Sequence, residues 1–532
     1  MKTAGRRVPP RVATGDPPSR LPANPGGGIF TLVNGFWIAS RCVDETPDVP
    51  LCEALKPVST PVPGRGEILC TMLRGGRQPD LRSRVRSRCC TGGEMREGHE
   101  AGSAHGVWIV NQYASAPDRA AGTRHYDLAR ALVQRGWDVT VFAAGVSHMT
   151  GREERLRGAG LCRSQVFDGV RFVWLRTFPY HGNTWRRQVN MLSYLVAFLV
   201  VQTRSRRPGV VIGSTVHPFA AFGGWLAARL RGATFAFEIR DLWPQTLVDL
   251  GALQPGSPGE RLLRGLEAFL VRRATVVITL IPGIRDYLVE HHLPADHVVY
   301  IPNGVDLAEF DARMEEAIDG TPAACRCLGE IRRMRAAGRF VFAYAGTFGR
   351  VNRLDTVIRA AAIADQARPG RIGLILVGDG PERAELEQLA RAEPSVAVMP
   401  AVPKTVIPAL LHRVDATVVH ATRTPVYRYG ISFNKLFEYM AAGRPVLFAC
   451  QSAYDPVAVA KAGIVVQPDD PAELARAMLE LAAAPADERT AMALAGRNFV
   501  AQEHDMARLG ERFADVVASA VPRGTLPAAH GR

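Results

Sequence analysis

The chain runs to 532 residues with 47% hydrophobic composition, enough for two or three globular domains with a sizeable core. Its formal net charge of +14 suits an anionic partner, whether nucleic acid, a nucleotide-sugar or an anionic membrane surface, and charge alone does not choose among these. Nine cysteines are present, and the five at Cys42, Cys52, Cys70, Cys89 and Cys90 show no metal-ligand spacing, so no disulfide framework is implied and a cytoplasmic thiol state is the default.

Residues 1–104 are rich in Pro, Gly and Arg, with Gly26-Gly27-Gly28 and the run Arg82, Arg84, Arg86, Arg88. This composition predicts a disordered extension without a core of its own, its arginines solvated and not bound to nucleic acid. The basic start runs into Pro-rich sequence, and Asn34 and Gly35 break the apolar patch Ile29 to Ile38, which does not read as a secretory signal. Globular pattern begins only after Met95, which leaves Met72 and Met95 open as translation starts.

From 105 onward, apolar runs alternate with amphipathic ones. Val107 to Val110 reads as a buried strand, a helix spans about Thr123 to Arg135, and Val139 to Ala143 is the next strand, the opening of a doubly wound domain. Phosphate would approach the loop between them at Gly122 and the helix start at Thr123. The strand Val210 to Gly213 delivers His217 to the edge where open α/β sheets carry ligands, and Thr234 to Ile239 brings Arg240 and Asp241 there, as acceptor-side residues or as a structural ion pair. Strands at Val276 to Leu280 and Val298 to Ile301 lead to the turn Pro302-Asn303-Gly304-Val305-Asp306. Between these lies Trp185-Arg186-Arg187 and the apolar helical run Val189 to Gln202, too short to span a bilayer. It reads either as a buried helix or as one lying shallowly on an anionic inner-leaflet surface.

A second unit starts with the strand Phe340 to Thr347, whose Gly346 opens a loop carrying Arg350 and Arg353, where guanidinium groups can pair with phosphate oxygens. Gly378, in the strand and turn 373–381, lets backbone approach a flat ligand closely. Strands at 396–400, 416–420 and 446–450 and helices near 405–412 and 434–442 complete a second parallel sheet, followed by Ala-rich helices at 471–484 and 487–520. The expected organisation is a first domain over 105–301, a linker over 302–338, a second domain over 339–500, and a C-terminal helix and tail over 501–532. No Asp-x-Asp pair occurs, and no metal site or cofactor is expected.

The stretch Tyr429 to Pro445 carries most of the functional reading. Ser432 or Asn434 can cap a short helix, Gly443 suits the left-handed position after it, and Pro445 stops it. Amides of Gly430, Ile431 and Ser432 at the helix start make an anion site, with Lys435 beside it as a point charge. Glu438, sharing a face with Lys435, can accept from a ribose diol or simply pair with Lys435.

Gly-Ile-Ser-Phe-Asn-Lys-Leu-Phe-Glu-Tyr-Met-Ala-Ala-Gly-Arg-Pro-Val resembles the nucleotide-sugar segment of family 4 retaining glycosyltransferases of the GT-B fold. It looks most like the bacterial branch that uses UDP-activated N-acetyl amino sugars in surface polysaccharide and lipopolysaccharide synthesis. The second of the family's two glutamates matches Glu438, whereas the first falls on Gly430. The resemblance implies two Rossmann-like domains facing a cleft, with C-terminal helices crossing back to the first. It implies donor contacts from the Gly122, Gly346 and Gly378 loops and from 430–438, and catalytic roles for His217, Lys435 and Arg353. It further implies a UDP-sugar as substrate and a glycan or polyprenyl-diphosphate-linked acceptor, reached from the cytoplasm by an enzyme peripheral at the inner membrane. With no metal motif, leaving diphosphate would be neutralised by Lys435, arginine and helix-start amides. A nucleotide-sugar epimerase of the same architecture and a non-enzymatic anion-binding protein stay open.

Overall fold

The computed structural model describes residues 105–521 except 119–121, 149, 181–184, 216 and 317–320. Upstream, only the backbone of three short strands is described, a hairpin of Ile29–Val33 with Phe36–Ser40 and the strand Ser87–Cys89. The expected disorder of the remaining N-terminal extension, and residues 522–532 of the tail, lie outside the described residues.

Two sheets organise the rest. The first runs, edge to edge, Val298–Tyr300, Val276–Thr279, Thr234–Ile239, Val210–Ser214, Gly106–Val110, Asp138–Ala144, Val170–Leu175, Cys162–Phe167 and Ser87–Cys89. All neighbours are parallel except the last two pairs. Val107, Trp108, Ile109 and Val110 are each at most 3% exposed, so the strand is covered on both faces, as its unbroken apolar run requires. The second sheet is wholly parallel and runs Val396–Met399, Ile372–Asp379, Phe340–Thr347, Ala416–His420, Val446–Ala449, Gly463–Val466. In each sheet the winding direction reverses beside the first parallel strand of its unit, and ligand crevices of doubly wound sheets open there.

The stretch 302–338 is not a bare linker. Asp306 caps a helix at Leu307–Glu315 and Thr321 caps another at Pro322–Ala336. Phe310, Cys327, Ile331 and Met334 are buried in the core of the second sheet. The long helical pattern at 487–520 is two helices, Ala486–Glu503 and Met506–Ala520, the second capped by Asp505. As the resemblance implies, the last helix crosses back to the first domain. Met506, Leu509, Phe513, Ala514 and Val517 share a core with Leu128 and Leu132, and a Cβ on Gly510 would lie 2.6 Å from Ala131 Cβ. The two chain crossings between domains run side by side, with Val305 N–H donating to His504 O (2.8 Å) and Met506 N–H to Val305 O (2.9 Å).

The helix Trp185–Val201 settles its two readings unequally. Asn190, Met191, Tyr194 and Phe198 are buried against the first sheet, while Trp185, Leu192, Val196 and Val200 form an exposed stripe, with Trp185 68% and Val196 62% exposed. Arg187 is only 2% exposed and so faces inward, which removes it as a headgroup contact and leaves Arg186 exposed. Among the described residues no helix is long and apolar enough to cross a membrane.

Candidate active site

The helix Asn434–Ala441 is fastened to the end of the strand Phe340–Thr347 by one hydroxyl. That strand pairs with Ala416–His420 only at Phe342 and Ala343, which leaves the backbone of Ala345 without a strand partner on that side. Tyr439 fills the gap, its oxygen accepting from Ala345 N–H (2.6 Å) and donating to Ala345 O (2.8 Å). Lys435, one turn earlier, is thereby set over Tyr344, with Nζ 3.0 Å from its hydroxyl, 2.5 Å from Asn352 Oδ1 and 4.7 Å from the ring centroid. No carboxylate pairs with this ammonium among the described residues, and burial pulls its pKa down to about 7. Neither Tyr344 nor Asn352 stood out in the sequence; Asn352 lies between the two arginines of its loop, and that proximity was the available signal.

Among the described residues no side chain caps this helix. Asn434 is its first residue, and Ser432 instead accepts from Asn303 through both its carbonyl (3.0 Å) and its hydroxyl (2.9 Å). The amides of Ile431 and Ser432 meet no acceptor among the described residues, whereas Gly430 N–H is taken by Tyr427 O (2.9 Å) and drops out of the expected cradle. Gly430 has φ +106°, and a Cβ there would lie 2.4 Å from Pro282 Cγ, so the position facing the family's first glutamate admits no side chain. Glu438 does not pair with Lys435; Lys404 approaches it at 3.5 Å. Gly443 is left-handed at φ +62°, as its place after the helix requires.

The two loop arginines differ. Arg353 is left-handed (φ +40°), donates to both oxygens of Asp355 (2.9 and 3.1 Å) and lies 3.7 Å from Asp469, so its charge is already compensated. Arg350 is exposed and free of any ion pair among the described residues. Gly378 stands opposite Gly346 in the strand register, and a Cβ on it would lie 1.9 Å from Gly346 O. Its smallness is required by strand packing.

On the first domain's edge, His217 departs from its expected role. It is fully buried, Nδ1 accepts from Ala220 N–H (3.3 Å) and so caps the helix Pro218–Arg231, and Nε2 donates to Gln112 Oε1. Burial holds its pKa down to about 3, hence a neutral ring with both nitrogens occupied. Gln112 in turn donates to Asn190, making His217 part of the wall beneath the cleft. Arg240 and Asp241 form no ion pair among the described residues; burial raises Asp241 to about 7 against the pull of Arg240. Arg124 and His125 both contact Glu238 (3.1 and 2.8 Å). Thr123 donates to Asp127 (2.7 Å), and a Cβ on Gly122 would lie 3.5 Å from Asn434 Nδ2, so the first loop of one domain does meet the helix start of the other.

Lys435, the unmet amides of Ile431 and Ser432 and exposed Arg350 thus collect on the second domain's ligand edge, opposite Gly122 and Thr123. Such a set can hold an anion and stabilise a departing one. Among the described residues no three His, Cys, Asp or Glu side chains gather as a metal site.

Comparison with known proteins agrees with this layout. The family model of the glycosyl transferase 4-like domain matches residues 119–304 and that of glycosyl transferases group 1 matches 339–484, together more than half of the chain. No curated protein matches the chain. Among solved structures, sucrose-phosphate synthase from Thermosynechococcus elongatus is 17% identical with a TM-score of 0.58, covering 78% of this chain and 98% of its own. HepE from Anabaena, solved in complex with UDP and glucose, is 16% identical (TM-score 0.53; 78% and 99% covered). The UDP-forming α,α-trehalose-phosphate synthase from Burkholderia vietnamiensis is 15% identical (TM-score 0.56; 79% and 99% covered). Two facing Rossmann-like domains, a returning terminal helix and a glycosyltransferase match in each half lead to one assignment: the chain belongs to the group 1 glycosyltransferases and has the GT-B fold.

Proposed function

We propose that the chain transfers a sugar, with retention, from a UDP donor to a glycan or lipid-linked glycan acceptor. The observation that carries this reading is Lys435, an amine with no carboxylate partner among the described residues, held beside a helix start that no described side chain caps and whose amides at Ile431 and Ser432 meet no described acceptor. That is the arrangement a diphosphate leaving group calls for. The UDP in the HepE complex supports the choice of nucleotide.

Lys435 and the helix-start amides neutralise the leaving diphosphate, with Arg350 better placed than Arg353 to add a guanidinium. Catalysis on this account needs no divalent ion. Glu438 receives the ribose once Lys404 moves aside. The N-acetyl amino sugar, the surface-polysaccharide setting and the polyprenyl-diphosphate acceptor rest on the likeness of residues 430–446 to that branch. A cytoplasmic enzyme peripheral at the inner membrane is supported by the exposed stripe Trp185, Leu192, Val196 and Val200 beside Arg186.

The test is a panel of UDP-sugars screened by thermal shift, then transfer with and without EDTA. A true donor raises the melting temperature, since it binds only the folded chain. Transfer that dies with chelation and returns with Mg²⁺ or Mn²⁺ overturns the metal-free account. An epimerised donor formed without acceptor replaces transfer by isomerisation.

A further inference from the structure

The turn between the domains reaches directly into the loop that precedes Lys435. Asn303 is 4% exposed, and its Nδ2 lies 3.0 Å from Ser432 O and 2.9 Å from Ser432 Oγ. Two oxygens facing one atom of the amide require that atom to be the NH2 group, which fixes the orientation of the side chain. The other end, Oδ1, is buried without a partner among the described residues. A buried orphan acceptor is destabilising, so stability alone does not account for an asparagine here.

The turn itself is gripped from several sides. Arg124, anchored on Glu238, donates to Ile301 O (2.8 Å) and to Pro302 O, and Arg130 pairs with Asp306 (2.8 Å). His504, on the return crossing, donates from Nδ1 to Asn303 O (2.8 Å) while its ring stacks on Phe437 at 3.7 Å. Gly304 permits this closeness, since a Cβ on it would lie 2.5 Å from His504 O. A continuous path of contacts therefore runs from the first sheet through both crossings to the loop 430–433 and the helix that carries Lys435.

We propose that Asn303 is a positioning residue for the donor: it ties the loop 430–433 to the paired crossings, so the hinge sets that loop and donor binding is felt at the hinge. This rests on the UDP-donor reading above. When the domains move, Ser432 moves with the turn, and the amides beside it are presented or withdrawn together.

The experiment titrates UDP by calorimetry against the wild-type chain, Asn303→Ala, Asn303→Ser and His504→Phe, each checked for folding by circular dichroism and melting. Asn303→Ala is expected to bind UDP on the order of tenfold more weakly, the effect of losing about one hydrogen bond's worth of positioning. Asn303→Ser, which keeps a hydroxyl donor, recovers part of the loss. The donor KM rises in Asn303→Ala while kcat at saturating donor stays close to wild type. By hydrogen exchange, UDP protects the amides of Val305 and Met506 in the wild type but not in Asn303→Ala. A folded Asn303→Ala with wild-type UDP affinity overturns the proposal, whatever its melting temperature. If Asn303→Ala does not fold, His504→Phe decides, because it keeps the stack on Phe437 and loses the bond to Asn303; weaker UDP binding supports the proposal and unchanged binding overturns it. A wild-type chain that does not bind UDP strikes the donor reading itself, a result distinct from unchanged binding in the variants.

Discussion

At neutral pH Lys435 sits near its own midpoint, because burial has pulled its pKa from the ordinary lysine range to about 7. Between about 7 and 10.5 the folded chain holds fewer protons than the unfolded one, so this group's contribution makes stability rise with pH across that window. Diphosphate requires the charged form and restores it on binding. UDP affinity should therefore fall as pH is raised from 7 to 9, with proton uptake visible in calorimetry as a dependence on buffer ionisation heat. A flat profile over that range contradicts the role. Lys435→Ala should lower kcat on the order of a hundredfold, about 3 kcal/mol of transition-state stabilisation, read in steady-state kinetics with the best donor. His217 makes the opposite case. Its place at the sheet edge was legible in the sequence, but its burial was not, since Gln112 lies over a hundred residues away. His217→Ala should lose the helix cap and orphan Gln112, costing about 1 to 2 kcal/mol of stability in urea unfolding. Wild-type stability with abolished transfer would return His217 to the chemistry.

Among the elements, strands with unbroken apolar runs were readable because both faces of a parallel strand are buried and the signal is local. The hairpin of Cys162–Phe167 and Val170–Leu175 was missed; its first strand, second from the sheet's edge, carries Arg163, Ser164 and Gln165 in place of an unbroken apolar run. The helices at 307–315 and 322–336 carried caps at Asp306 and at Thr321 before Pro322, signals that the hinge reading passed over. The 434–441 helix was placed from its stop signals, but its anchoring was hidden because Tyr439 answers a strand 94 residues earlier. Tyr439→Phe leaves both polar groups of Ala345 unmet and should cost about 1 to 3 kcal/mol of stability, with UDP affinity falling as Lys435 loosens. The helix Trp185–Val201 has a separate test. Arg186→Glu with Val196→Asp changes two exposed side chains and should leave melting unchanged while weakening binding to anionic liposomes at low salt, at roughly 1 kcal/mol per headgroup contact plus the lost apolar area. Unchanged liposome binding removes this face from any membrane contact.

On the scale of the whole molecule, the two-domain plan followed from alternation of strand and helix, whereas the closeness of the domains did not, because it depends on pairs such as Asn303 with Ser432 that no local pattern marks. The path of the chain has a consequence for how the protein is made. The first domain is completed by Met506, Leu509, Phe513 and Val517, which are synthesised after all of its other described residues. Until they emerge from the ribosome, Leu128 and Leu132 on the helix Arg124–Gln134 have no cover from that side, and the half of the protein translated first must wait unfinished for the half translated last. A nascent chain stalled before Met506, with that end clear of the ribosome, should accordingly hold chaperones on its N-terminal half and resist proteases in its second domain, the reverse of the order in which it was born.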